Sequence, residues 1–352
     1  MEGGGTMVRG GGRPLGSSAD AFRAELKTDG DLRLWELAGP DGAACLVLPE
    51  CGSQLGALRL APGDREAVDV LQAPDPGHLR QAGWGAGAPI LFPFPGRIAS
   101  GEYPYRGRTH RLRSDRGRHP LHGFVGLVPW EVVDAGSGAE GAWVRTAVGH
   151  AHLGLPPEAF PGDYRLEVTH RLGPAGYRHE IRLENVGREP FPFGYGWHPY
   201  FHTPLGAGGT RGDCVLTLDA AARWELTAEL LPTGRRLEVS GPYDLRQGSA
   251  LGEKSYDDPF TLVARDERGG SHATLLDPGA GLRLTVSADA AFREWVVYSP
   301  RTLGAVAIEP YTCAPDAFNL EARGISAGVR ELAPGETWTA WIAVDLEALD
   351  RA

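Results

Sequence analysis

The 352-residue sequence lacks any apolar run that could cross a bilayer as a helix, which takes about 20 residues. Cysteine is scarce: Cys45, Cys51, Cys214 and Cys313 are the only four, and no two form a CxxC pair. Neither a disulfide framework nor a thiolate metal site is expected from such spacing. Cys45 and Cys51 are near neighbours in sequence, yet buried free thiols are the better reading. Positive charge is in deficit, with 35 Lys and Arg against 45 Asp and Glu and a formal net charge of −10. A phosphate backbone would be repelled at long range, so nucleic acid is excluded as a partner, whereas a neutral ligand is not. Long helical periodicity is missing, and so is any fixed-period repeat, which argues against a solenoid or propeller.

The first 18 residues, Met1 to Ser18, are rich in Gly and hold no apolar segment. They do not resemble a secretory signal peptide. They are expected to form a disordered leader, with Met1 and Met7 both candidate starts, and residues 19–352 to form one domain. Without a signal peptide or a disulfide framework, the expected location is the cytoplasm. No sequence feature specifies an oligomeric state.

Glycine (50) and proline (28) are abundant, which in a chain without low-complexity tracts means many turns. Between the turns, polar and apolar residues alternate. Asp31 to Leu37, Arg165 to Leu172, His179 to Glu184, Leu282 to Val286 and Thr337 to Val344 all follow period two. Such segments place one face on a core and the other in water. Gly173-Pro174, Asn185-Val186-Gly187, Asp277-Pro278-Gly279 and Pro334-Gly335 separate them. The expected fold is all-β, a large antiparallel β-sandwich with few short helices, the helices near Ala19–Glu25 and Pro76–Gln81.

Five segments break the alternation. They are Pro89 to Ile98, whose single charge is Arg97; His119-Pro120-Leu121-His122-Gly123-Phe124; Phe193 to Phe201, which includes Trp197-His198-Pro199-Tyr200; Tyr256-Asp257-Asp258-Pro259-Phe260; and Ile308-Glu309-Pro310-Tyr311, followed by Pro315 to Asn319. Each sets one or two titratable groups among aromatics, Gly and Pro. Aromatic faces suit the C–H face of a sugar ring, while carboxylates, Arg and His suit its hydroxyls. Each also has a plain structural reading. His122 and His198 could be satisfied core histidines, Trp197 and Tyr200 core rings, and Glu309 a strand end at the surface. Arg97 could pair with a carboxylate, and Asp257 and Asp258 could be turn residues. His78, His110, His150, His152, His170, His179, His202 and His272 lie in less distinctive contexts and read as surface or structural.

In this order the segments resemble the aldose 1-epimerase (galactose mutarotase) family, from about Ala43 to the C-terminus. Leu121-His122-Gly123-Phe124, Gly196 to Phe201 and Ile308-Glu309-Pro310 carry most of the likeness; Leu231 to Gly234 and Tyr243 to Arg246 add to it. The resemblance implies a large antiparallel supersandwich with an open sugar cleft on one sheet. It implies Glu309 as general base and His198 as general acid, with His122, Arg97 and Asp257 binding the sugar and Asp258 the weaker candidate. It implies a free monosaccharide as partner, an isomerase activity, and no metal or redox cofactor, because acid–base ring opening and reclosure suffice. The sequence departs from the family at Gly96, where many members have Asn, at Gly126, where many have Arg, and at Tyr311, where a more polar residue is common.

Three other readings compete. A hexose-phosphate 1-epimerase would need a cationic clamp, for which Arg106, Arg108, Arg111 and Arg113 are candidates near Arg97. A non-catalytic sugar sensor could dispense with the acid or the base. A glycoside hydrolase would use paired carboxylates and leave the two histidines without a role.

Overall fold

Alternation over Tyr164–Gly173 and Gly176–Asn185 produces two ten-residue strands joined by the two-residue turn Pro174-Ala175. Every second residue is buried, from Leu166 and Val168 on one strand to Ile181 and Leu183 on the other. The computed structural model describes residues 21–113, 117–155 and 159–349. The expected leader, residues 1–18, lies outside them. No helix among the described residues is long and apolar enough to cross a membrane.

Three sheets dominate. A nine-stranded antiparallel sheet runs from Ser249–Ala250 at one edge to Glu131–Gly138 at the other, with Thr337–Ala348 and Gly176–Asn185 near its centre. An eight-stranded sheet follows the order Pro232–Glu238, Ala220–Leu226, Asp257–Val263, Glu294–Tyr298, Ala305–Tyr311, Gly196–Trp197, Ile90–Leu91, with Tyr200–His202 also pairing with Ala305–Tyr311. A five-stranded sheet begins at Arg23–Asp29 and ends at Val68–Asp69. One apolar cluster draws on all three, including Leu37 and Val47, Leu166 and Ile181, and Trp295 and Ile308. Trp197 of the eight-stranded sheet lies nearly parallel to Tyr177 and His179 of the nine-stranded sheet, with ring centroids 5.9 and 5.4 Å away. All four cysteines are buried and outside any disulfide.

The helix expected near Ala19–Glu25 is not formed within the described residues. Arg23–Asp29 is instead an edge strand, with Glu25 opposite Glu36. Helix propensity is a weak preference, and the open edge of Leu32–Ala38 overrides it. Lys27 ties the pairing by reaching Glu25 at 2.6 Å and Glu36 at 3.3 Å. The second expected helix is present as Pro76–Ala82.

Two of the histidines read as structural are deeply buried in the sandwich. His170 Nδ1 lies 2.7 Å from the Tyr177 hydroxyl and Nε2 lies 3.0 Å from Ser53 Oγ, while His179 Nε2 lies 2.6 Å from the Tyr195 hydroxyl. Burial holds both rings below the usual histidine range, so they serve as neutral members of a satisfied polar chain.

Candidate active site

Period two on the eight-stranded sheet decides which side chains meet. Val306 and Ile308 face the core, so Glu309 and Tyr311 face the opposite way. Register then aligns rows across the sheet: Pro259, Val296 and Glu309 form one, and Asp257, Tyr298 and Ala307 the next. These rows floor an open cavity of about 340 Å³, within the size range of small-molecule sites. Arg97, His122, His198, Asp257 and Glu309, drawn from five separate segments, all line it. Asp258 does not: it points to the other face and pairs with Arg223 at 3.3 Å. Glu309 is no strand end, for it sits inside Ala305–Tyr311 and is 1% exposed.

The wall carrying Arg97 and His122 is built from two loops laced together. Arg97 bridges to Leu121, and Phe92 bridges to Gly123. The His122 amide donates to the Gly96 carbonyl at 2.8 Å, and the Gly96 amide donates back to His122 Nδ1 at 3.2 Å. With Nδ1 accepting, a neutral ring carries its proton on Nε2. Burial holds His122 well below the usual histidine range, and the nearby His198 and Arg97 add to the effect. It is therefore a neutral donor near pH 7. His122 takes φ 64° and Gly123 takes φ 74°, and a Cβ at Gly123 would collide with the Phe92 carbonyl group. The Asp316 amide donates to the Arg97 carbonyl at 2.9 Å, so the segment after Glu309 braces this wall.

At the inner end, His198 Nε2 lies 3.3 Å from Glu309 Oε1. The contact is close but not aligned as a hydrogen bond, and Oε1 has no aligned donor among the described residues. Glu309 Oε2 accepts a 2.6 Å hydrogen bond from the Tyr311 hydroxyl. His198 stacks on Tyr200, with centroids 4.6 Å apart, and Tyr200 donates to the Trp84 carbonyl at 2.7 Å. His122 meets the His198 ring edge-on at 5.5 Å. Burial pushes His198 down to about 3. Burial pushes Glu309 well above the usual carboxylate range; the Tyr311 hydrogen bond opposes this and the charge of Asp257 adds to it. Asp257 is also raised by burial, against the pull of Arg97 and with a smaller push from Asp258.

Sequence patterns did not single out Trp84 or Tyr298, which line the same cleft. Trp84 had one available sign, its setting between Gly83 and Gly85. The three departures from the family pattern each have a counterpart here. A Cβ at Gly126 would run into the Trp84 ring, so the indole occupies that volume. Gly96 takes φ 75°, and a Cβ there would lie 2.6 Å from Pro315 Cβ. Tyr311 is the partner of Glu309. The candidate phosphate clamp is dispersed: Arg106 pairs with Glu331 at 2.7 Å and Arg111 with Glu102 at 3.0 Å. Arg113 lines a neighbouring cavity, leaving Arg97 the only Lys or Arg among the described residues of the cleft.

A family model described as aldose 1-epimerase matches residues 34–345. The chain is 25% identical to the YihR protein of Escherichia coli (strain K12) over 236 residues, covering 65% of this chain and 71% of YihR. It is 23% identical to the YphB protein of the same organism over 308 residues, covering 84% of this chain and 97% of YphB. Among solved structures, a galactose mutarotase-like protein from Clostridium acetobutylicum superposes with a TM-score of 0.83 at 20% identity, covering 94% of this chain and 99% of that one. The galactose 1-epimerase of Lactobacillus acidophilus NCFM gives 0.72 at 18% identity, covering 94% and 99%.

Proposed function

Because the chain belongs to the aldose 1-epimerase family, we propose that it is a mutarotase, interconverting the α and β anomers of a free aldose by ring opening and reclosure. The observation that carries this reading is the His198–Glu309 pair, 3.3 Å apart at the buried end of a cleft of monosaccharide size. Glu309 Oε1 removes the proton from the C1 hydroxyl. His198 protonates the ring oxygen as the C1–O5 bond breaks and the aldehyde forms. The aldehyde turns about C1–C2 and recloses on its other face, with the two groups exchanging roles. His122 Nε2–H, Arg97 and Asp257 hold the ring hydroxyls in place. Positioned acid and base groups contribute about 10²–10⁴-fold each. Mutarotation already runs in water, so that contribution suffices.

A free sugar fits the cleft better than a phosphorylated one. Arg97, its only guanidinium among the described residues, already faces the carboxyl of Asp257. Polarimetry on freshly dissolved α-D-glucose and α-D-galactose tests the proposal. The protein is expected to speed relaxation of the optical rotation of at least one, and to act more weakly on glucose 6-phosphate. Tight sugar binding without faster relaxation would make it a sensor instead.

The proton count of the pair predicts the pH profile. Burial lowers His198 to about 3 and raises Glu309, so between those two values the pair holds one proton. The working form, ionised Glu309 with protonated His198, has that same count and is reached by moving the proton across the pair. Below the lower value a second proton arrives and no base remains. Above the raised Glu309 value the last proton leaves and no acid remains. The two limbs belong to the pair as a unit. The profile of kcat/KM is therefore expected to show no acid limb near the ordinary histidine pKa of about 6.5. It should instead fall on the alkaline side, above the usual carboxylate range. Stopped-flow polarimetry, corrected for the buffer rate, reads both limbs. Activity that rises through about 4.3 and never declines would sink this account.

A further inference from the structure

A general base must offer one oxygen to its substrate and be kept from swinging away. Glu309 and Tyr311 are two residues apart on one strand, so they stand side by side on the cleft face. The Tyr311 hydroxyl donates to Oε2 at 2.6 Å, while Oε1 is the oxygen facing His198 at 3.3 Å. The tyrosine is itself clamped: it is 2% exposed and packs with Leu91 and Val296. The ring lies over Gly196, where a Cβ would stand 2.8 Å from it, so the absence of a side chain at 196 makes room for it.

We propose that Tyr311 is a positioning residue for Glu309, its hydroxyl tying down Oε2 and reserving Oε1 for proton exchange with the C1 hydroxyl. The proposal rests on the mutarotase reading. It also accounts for a departure from the family pattern: a phenol that keeps only its hydroxyl for the base replaces a more polar side chain. The same hydrogen bond favours the ionised form of the carboxyl, against the effect of burial.

Tyr311→Phe removes the hydroxyl and keeps the ring. It is expected to lower kcat about 10- to 100-fold, the span that a hydrogen bond to a charged group is worth, with KM changed by less than about 3-fold. The alkaline limb of the pH profile should move to higher pH, because the carboxyl then loses its proton less readily. Carbon-13 NMR of the Glu309 carboxyl, assigned with Glu309→Gln, reads the same shift without any turnover. Gly196→Ala, whose Cβ would stand 2.8 Å from both the Tyr311 ring and Pro95 Cβ, crowds the ring but leaves the hydroxyl, and should move the carboxyl titration in the same direction. Thermal unfolding of each variant confirms that it is folded. An active wild type whose folded Phe variant keeps its kcat and carboxyl titration would overturn this role alone, as would a change confined to KM. A wild type without mutarotase activity would overturn this role and the function together.

Discussion

Glu309→Gln is expected to lower kcat for mutarotation by about 10²–10⁴-fold, down toward the rate in buffer. The substitution is nearly isosteric, and the Gln carbonyl can still accept from Tyr311. Packing against the strand is kept, and only the capacity to take a proton is lost. His198→Asn is expected to fall in the same range, because stacking on Tyr200 at 4.6 Å fixes the imidazole beside Glu309, and an asparagine there has no acidic proton to give. The two losses should not add: once base or acid is gone, the other has no concerted partner, so the double variant should be close to the worse single one. Initial polarimetric rates at saturating sugar measure all three. Either single variant relaxing the rotation as fast as wild type would remove that residue from the mechanism.

Gly123→Ala is expected to destabilise the fold by about 3 kcal/mol or more, through strain at a backbone that has nowhere to move. Two costs combine there. The residue holds φ 74°, which an alanine adopts at a cost of about 1–2 kcal/mol. The added Cβ would also collide with the Phe92 carbonyl group and lie 2.8 Å from Pro93 N, all backbone atoms. That same carbonyl accepts from the Phe124 amide at 2.8 Å, so moving it breaks the lacing that presents His122. Gly30→Ala is the internal comparison. It has φ 58° with nothing within 4 Å of the added Cβ, so it should pay the conformational cost alone. Urea or thermal unfolding of the two variants separates the terms. Equal midpoints would show that the collision is relieved at no cost.

How much of this was legible in the sequence depended on whether the deciding force was local. Tyr164–Gly173 and Gly176–Asn185 could be read directly, because alternation and the Gly-Pro turn are written in consecutive residues. Arg23–Asp29 could not, since its partner edge lies across a turn and its Ala, Glu, Leu and Lys residues suit a helix equally well. Arg97, His122, His198, Asp257 and Glu309 stood out because Gly, Pro and aromatics interrupt the pattern around them. Their meeting in one cleft depends on strand register, which no single segment encodes. Glu309 followed an apolar run that could have ended at the surface; its burial is decided by neighbouring strands. Trp84 carries no sign beyond its flanking Gly83 and Gly85, and the glycine that leaves room for its ring, Gly126, is distant in the chain.

That last contact links two positions far apart in the chain. The indole of Trp84 fills the space that a side chain at 126 would need. A long cationic side chain at 126 and a tryptophan at 84 are therefore rival tenants of one volume. Here the aromatic ring holds that volume, and the Ile90 carbonyl oxygen, 2.5 Å from where the Cβ would stand, closes the rest of it.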